Sequence, residues 1–439
     1  MSGSGVESLP QCVRGLETKG ETEAVKRLVV LIFTAAVVPA QAQEIRLTLR
    51  ELTSEAIRNN PEIVAAQKNV EAARQRPAQQ SSLPDPMISL GYTSVGNPLP
   101  GAGLGSQVLS NIGILSSQEL PYPGKLKLKG EIASKEADAA FQEYEAVQLS
   151  VISRLKQAYY RLQYAYAASD LLTRNRDLIN KLVSVTEARY SVGKAAQQDV
   201  FKAQTQVSIL ETRLVKLEQG RLSSEAEINS TLNRRPGTPV ARPEDVRPTE
   251  SMPTLEELYA AAAQNSPMLG REKKMIERSE LAVNSARKEY YPDMTLSGGY
   301  FNQGSMSPMY QFQASFKVPM YYWRKQRAGV NEQVSMLSQA RRNYEAADQS
   351  VHLRIKDDYT MAQASLKLMK LYTQTVVPQS NLALESSLAT YETGAVDFLS
   401  VLTNFTTVLD YEMSYYDEAL NYSLALARLE EMIGQPLTE

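Results

Sequence analysis

At 439 residues the chain is long enough for two or three ordinary domains. Its 47 basic and 49 acidic residues are interspersed and leave a formal charge of −2, which excludes the basic field that binding to nucleic acid or another polyanion requires. A single cysteine, Cys12, excludes a disulfide framework within the chain.

The chain begins with an export signature. Lys26-Arg27 precede an apolar run from Leu28 to Pro39, and Ala40-Gln41-Ala42 supplies the small residues of a cleavage site after Ala42. The apolar run, about 12 residues, is too short to span a bilayer. Residues 1–42 are therefore expected to be an N-terminal extension and signal peptide that is removed, although residues 1–25 are an unusual lead-in, either an upstream start or an extended lead segment of the signal. Cys12 lies in this part and lacks the small-residue context of a lipoprotein site, so the mature chain is expected to carry neither disulfide nor lipid anchor.

Helix starts within Leu47–Ile57 and continues, with one proline interruption, to about Ser81. The period then changes from helical to alternating. Ile88, Leu90 and Tyr92 oppose Ser89, Gly91 and Thr93, the pattern of a strand with one apolar face. A Gly/Pro-rich loop, Gly96 to Gly105, leads to a second strand within Gln107–Leu120. From about Lys125 to Tyr190 no proline intervenes, and Phe141, Tyr144, Val151, Leu155, Ala158, Leu162 and Ala165 keep a three-and-four spacing suited to helix packing. At 1.5 Å per residue such a helix is roughly 100 Å long. It turns at Gly193 into a shorter helix ending near Leu232.

The second half repeats this plan. Met294, Leu296 and Tyr300 alternate with Thr295, Ser297 and Gly299, and Tyr310, Phe312, Ala314, Phe316 and Val318 alternate with polar residues. A long helix is expected from about Arg324 to Tyr391, then a turn at Gly394 and a helix to about Met432. Punctuating residues (Asn60-Pro61 and Ser266-Pro267, Pro84 and Pro292, Gly193 and Gly394, Pro236 and Pro436) recur at an offset of about 198 to 208 residues, which points to duplication of one unit. The expected organisation is one repeat over 43–250 and a second over 251–439. In each, two short helices placed end to end match one long helix, giving a rod with strands at one end and a helical turn at the other.

Strands of about 9–11 residues with one apolar and one small or polar face carry the signature of an outer-membrane barrel. Four per chain cannot close one, and an open edge in lipid leaves backbone groups unsatisfied at several kcal/mol each. Assembly is therefore expected. Two copies give a barrel filled by its own side chains, whereas three give twelve strands and room for a lumen. Tyr92, Tyr300, Tyr310, Tyr321 and Tyr322 fall at strand ends, where interfacial rings belong.

No catalytic, cofactor or metal motif is evident. His352, the sole histidine, reads as a packed or solvated helix residue. Gly101-Ala-Gly-Leu-Gly105 joins two strands rather than a strand to a helix, so it reads as a hairpin and not a phosphate loop. Met306 and Met309 offer two thioethers without cysteine or histidine, a poor metal site.

Arg189-Tyr-Ser-Val-Gly193 followed by Asp199-Val200, and Tyr391-Glu-Thr-Gly394 followed by Leu399-Ser-Val-Leu402, resemble the paired helix turns of the TolC-like outer-membrane factor family, and the likeness covers nearly all of the mature chain. Leu83-Pro-Asp-Pro86 and Gln118-Glu-Leu-Pro-Tyr-Pro-Gly-Lys125 look most like the branch serving heavy-metal efflux pumps. The resemblance implies a mainly α protein with a membrane β-barrel: a homotrimer in outer-membrane lipid, with a twelve-stranded barrel and a periplasmic α-helical tunnel. It implies docking at a tip formed by Arg189, Tyr190, Gly193, Asp199, Tyr391 and Gly394 onto a periplasmic adaptor and an inner-membrane pump. Family members shut the tunnel with polar tethers, a role that falls here on Asp199, six residues after Gly193, and Tyr391, three before Gly394. They constrict it with acidic residues, and there the match fails. The positions six and nine after Gly394 are Ser400 and Thr403, and Val396 replaces an arginine. Asp397 either supplies a ring of charge to the lumen or caps the helix that follows Gly394.

The expectation is a passive export duct, not an enzyme, whose pump selects a cargo of heavy-metal cations or of organic compounds. The rival reading is a soluble periplasmic coiled-coil scaffold, which explains the helices but not the strands.

Overall fold

The computed structural model describes residues 48–244 and 252–437; the export signature and Cys12 lie outside them. The first repeat runs α1 (Leu49–Asn59), α2 (Pro61–Ala73), α3 (Arg76–Ser81), β1 (Met87–Thr93), β2 (Asn111–Leu120), α4 (Lys125–Ser191) and α5 (Gln197–Thr231). The second runs α6 (Leu255–Asn265), α7 (Pro267–Lys288), β3 (Asp293–Gln303), β4 (Met306–Lys317), α8 (Lys325–Leu371), α9 (Val377–Thr393) and α10 (Phe398–Ile433).

Two expectations need correction, both because of proline. The leading helix breaks twice rather than once, since Pro77 follows a turn at Arg74 and Gln75 and starts α3. The second long helix is not continuous either. One π-helical turn, Tyr372–Val376, separates α8 from α9, and the Val377 N–H donates to the Tyr372 carbonyl. Pro378, at the start of α9, has no N–H for the Gln374 carbonyl and its ring crowds a normal α turn, so the backbone widens there.

The four strands form one antiparallel sheet in the order β1-β2-β3-β4. Register sorts its faces. Leu90 pairs with Ile114, Ile114 with Tyr300 and Tyr300 with Tyr310, while Gly298 pairs with Phe312 and Met294 with Phe316, so most of the apolar side chains share one face. On the other, Ser89 meets Leu115, Ser117 meets Ser297 and Ser297 meets Gln313, a face of mostly small and polar groups. The apolar face is uncovered in the single chain: Leu90 is 81% exposed and Phe312 85%. β1 and β4 are the edges, and each has one side of its ladder unpaired.

Helices extend from one end of this sheet. α4, 67 residues and so roughly 100 Å long, packs against α1–α3 near the sheet and against α5 farther away. α8 and α9 receive α6, α7 and α10 in the same way, and α7 and α10 also pack on α4, joining the repeats. Matching cores result, one around Leu52, Ile63, Leu155, Leu162 and Ile228 and the other around Leu258, Val351, Ile355, Tyr422 and Leu429. Where short helices meet end to end, buried Asn60 serves both: its carbonyl oxygen accepts from the Glu62 and Ile63 N–H groups at 2.9 and 3.2 Å, and its amide donates to the Thr231 carbonyl at 2.8 Å. The repeats are also joined by a buried ion pair, Lys156 of α4 with Glu430 of α10 at 2.5 Å. His352 packs against the Tyr259 ring at 4.5 Å, as a helix residue.

Candidate functional site

The end remote from the sheet is built by two turns of the same chemistry. At each, the long helix stops because glycine takes a left-handed conformation that a side chain would strain: φ is +73° at Gly193 and +82° at Gly394. The Lys194 N–H then reaches back to the Arg189 carbonyl at 2.8 Å, and the Ala395 N–H to the Thr390 carbonyl at 3.0 Å, closing the last carbonyls of α4 and α9. A Cβ added at Gly193 would meet nothing within 4 Å, so this turn faces open space. Tyr190 beside it is 46% exposed.

The two turns are clipped to each other by Arg189. Its Nη1 donates to the Tyr391 carbonyl at 2.8 Å and the Glu392 carbonyl at 3.3 Å, and its guanidinium lies 4.5 Å from the Tyr391 ring centroid. A cation at the C-terminus of α9 also complements that helix's dipole. Tyr391 points inward, 5% exposed, among Ala203, Phe398 and Val401, with the Phe398 ring 6.0 Å away.

The Tyr391 hydroxyl is buried and makes no hydrogen bond, so the Asp199–Tyr391 bond is not formed within the chain. Asp199 sits half-buried in the first turn of α5. Turning the tyrosine ring into the tip core satisfies its apolar body and leaves the hydroxyl unpaired.

Asp397 caps α10. Its Oδ1 accepts the Ser400 N–H at 3.2 Å and the Ser400 hydroxyl as well, and these bonds hold its carboxyl below the usual range. The corresponding residue of the first repeat, Ala196, has no side chain to cap α5. Ser400 and Thr403 are exposed on α10, opposite the buried Phe398, Val401 and Phe405, and Thr403 Oγ1 donates to the Leu399 carbonyl at 2.8 Å. Further along this exposed face Asp410 pairs with Arg213 of α5 at 3.0 Å. Among the described residues no cluster of three or more His, Cys, Asp or Glu could hold a metal ion. Sequence reasoning included Arg189 only as part of a motif, and missed its clip because the partner is a carbonyl more than 200 positions away, which has no sequence signal.

Two segments of the chain, residues 52–234 and 258–435, match the family described as outer membrane efflux protein, one segment in each repeat. The chain is 25% identical over 429 residues to the outer membrane protein TolC of Vibrio cholerae serotype O1, covering 93% of this chain and 95% of that one. It is 22% identical over 369 residues to the cation efflux system protein CusC of Escherichia coli K12, covering 81% of this chain and 79% of that one. Its fold matches the crystal structure of the outer membrane protein VceC from Vibrio cholerae with a TM-score of 0.74 at 18% identity, over 89% of this chain and 97% of that one.

Proposed function

This chain belongs to the outer membrane efflux protein family, and on that premise we propose that three copies close their sheets into one twelve-stranded barrel continued by a helical tunnel, forming a passive export duct. The family is one of efflux channels, not of enzymes, and the place of its members is the outer membrane, extending into the periplasm. The observation that carries the proposal is the sheet: one continuous apolar face, one face of small and polar groups, and two unpaired edges, β1 and β4. β2, β3 and β4, of 10–12 residues and tilted as in membrane barrels, rise about 25 Å, the thickness of a hydrocarbon layer, whereas β1 has seven residues. Pairing β4 of one copy with β1 of the next pairs the two edges over the length of β1.

In this reading the two glycine turns are the adaptor-facing tip, and an inner-membrane pump supplies energy and selects cargo. Likeness to a cation efflux protein supports heavy-metal cations as the cargo. Organic compounds are the second reading, favoured by the uncharged Ser400 and Thr403 at the positions six and nine after Gly394. Purified protein in planar lipid bilayers is expected to give discrete conductance steps, and cysteines placed at Val192 and Ala395 are expected to crosslink to the adaptor. Absence of conductance sinks the duct, and equal crosslinking from Gly105 reverses its polarity.

A further inference from the structure

We propose that the helix-proximal end of the sheet is a docking collar for anionic phospholipid headgroups, an inference that rests on the sheet lying in a membrane as proposed above. Charge distribution is the first observation. Residues 86–118 and 294–316, which comprise nearly all of the four strands and both hairpin loops, contain no Asp, Glu, Lys, Arg or His. Ionisable groups appear together where the strands end, at Leu120, Asp293 and Lys317, which the pairing Leu120–Met294 and Asp293–Lys317 sets along one edge.

Of the exposed groups at that edge the carboxylates Asp85 and Glu119 are unpaired among the described residues, and they are outnumbered by basic residues. Glu289 and Asp293 are engaged by buried Lys125 at 3.2 and 2.9 Å, and Glu131 by Lys127 at 3.8 Å. Lys129, Arg287, Arg324, Lys325 and Arg327 come from the start of α4, the end of α7 and the start of α8; all are exposed. None of these five forms an ion pair among the described residues. The uncharged loop end offers no such group.

Rings held between these cations make the second observation. Tyr122 and Tyr291 stack at 4.4 Å, with the Lys288 ammonium 5.6 and 5.4 Å from their centroids. Tyr322 meets Trp323 at 5.2 Å and Tyr290 at 6.4 Å. Trp323 and Tyr322 are each 54% exposed and immediately precede Arg324. Amphipathic rings settle at the depth of lipid headgroups, and exposed guanidinium and ammonium groups at that depth meet the phosphodiester layer. Arginine also matches phosphate oxygens with paired donors. The collar thus selects a headgroup with net negative charge, such as phosphatidylglycerol, over a zwitterionic one.

Trp323 is the only tryptophan of the chain, so its fluorescence reports on this collar alone. The full mature protein would be reconstituted in phosphatidylcholine vesicles containing the same mole fraction of either acyl-brominated phosphatidylglycerol or acyl-brominated phosphatidylcholine. The expected result is several-fold stronger quenching by the brominated phosphatidylglycerol, since each basic residue near an anionic surface enriches it about fivefold. The variant R324Q/K325Q/R327Q should lose most of that preference, while R324K/R327K, which preserves charge, should keep it. Equal quenching by the two lipids in the wild type, or an undiminished preference in the glutamine variant, overturns the collar but leaves the membrane sheet intact. No quenching by either lipid means that Trp323 does not meet the bilayer, which removes the membrane placement and the collar with it.

Discussion

Replacing Tyr391 with Phe separates two accounts of how the tip is held. In the single chain the Tyr391 hydroxyl is buried without a hydrogen bond. An unsatisfied buried hydroxyl costs about 1–3 kcal/mol, so its removal should stabilise each tip by up to that amount. Everything else at the site is preserved by phenylalanine: the ring under Arg189 at 4.5 Å, the contact with Phe398 at 6.0 Å, and the Arg189 bond to the main-chain carbonyl. If instead the hydroxyl reaches Asp199 of a neighbouring copy, the substitution removes a charge-assisted bond of about 1.5–3 kcal/mol from the closed state. The two accounts therefore differ in sign, and symmetric copies multiply the difference. Single-channel recording in planar bilayers, with thermal unfolding in detergent alongside, is the assay. The account given by the structure predicts unchanged or lower conductance and an equal or higher melting temperature. Raised conductance in Tyr391→Phe, unaltered by further adding Asp199→Ala, would refute it and restore the tether between copies. Arg189→Met should behave oppositely, because it removes both carbonyl bonds and the ring contact, together about 2–4 kcal/mol, and should raise conductance.

Other expectations follow from the fold. Lys156→Met leaves Glu430 buried beside an apolar group and should cost about 3–5 kcal/mol in unfolding measurements, whereas Lys156→Met with Glu430→Leu should recover most of the loss. Gly434→Ala should destabilise far more than Gly193→Ala: both glycines have positive φ, but a Cβ at 434 meets the Asn265 carbonyl oxygen at 2.5 Å and one at 193 meets nothing within 4 Å. Asp397 has a carboxyl depressed by its bonds from Ser400, so its contribution to α10 is present above the ordinary aspartate range and lost as pH falls through the depressed value. Asp397→Asn should abolish that acid sensitivity, read by hydrogen exchange at residues 398–401, and leave the channel's ion selectivity unchanged.

Elements with a local signal were legible in the sequence. The alternation of Tyr310 to Phe316 becomes β4, and the glycines at 193 and 394 become left-handed turns, because period and backbone freedom are properties of a few adjacent residues. Pro77 and Pro378 carried equally local signals that the long helical periodicity overrode, so the break before α3 and the π turn appear only in the structure. Asp397 is ambiguous in the sequence because the same residue type serves a cap and a charged lumen, and the cap shows only in its geometry toward Ser400. The Arg189 clip and the Lys156–Glu430 pair depend on residues 202 and 274 positions apart, brought together by the packing of one repeat on the other, and no spacing rule reaches that far.

The claim that the open four-stranded sheet is one third of a barrel is tested most directly by cryo-electron microscopy of the mature protein in detergent. The account predicts a threefold particle in which β4 of each copy hydrogen-bonds to β1 of the next, with the apolar face of every sheet turned outward. A stable monomer in plain buffer, or an assembly in which β1 and β4 remain unpaired, would contradict it.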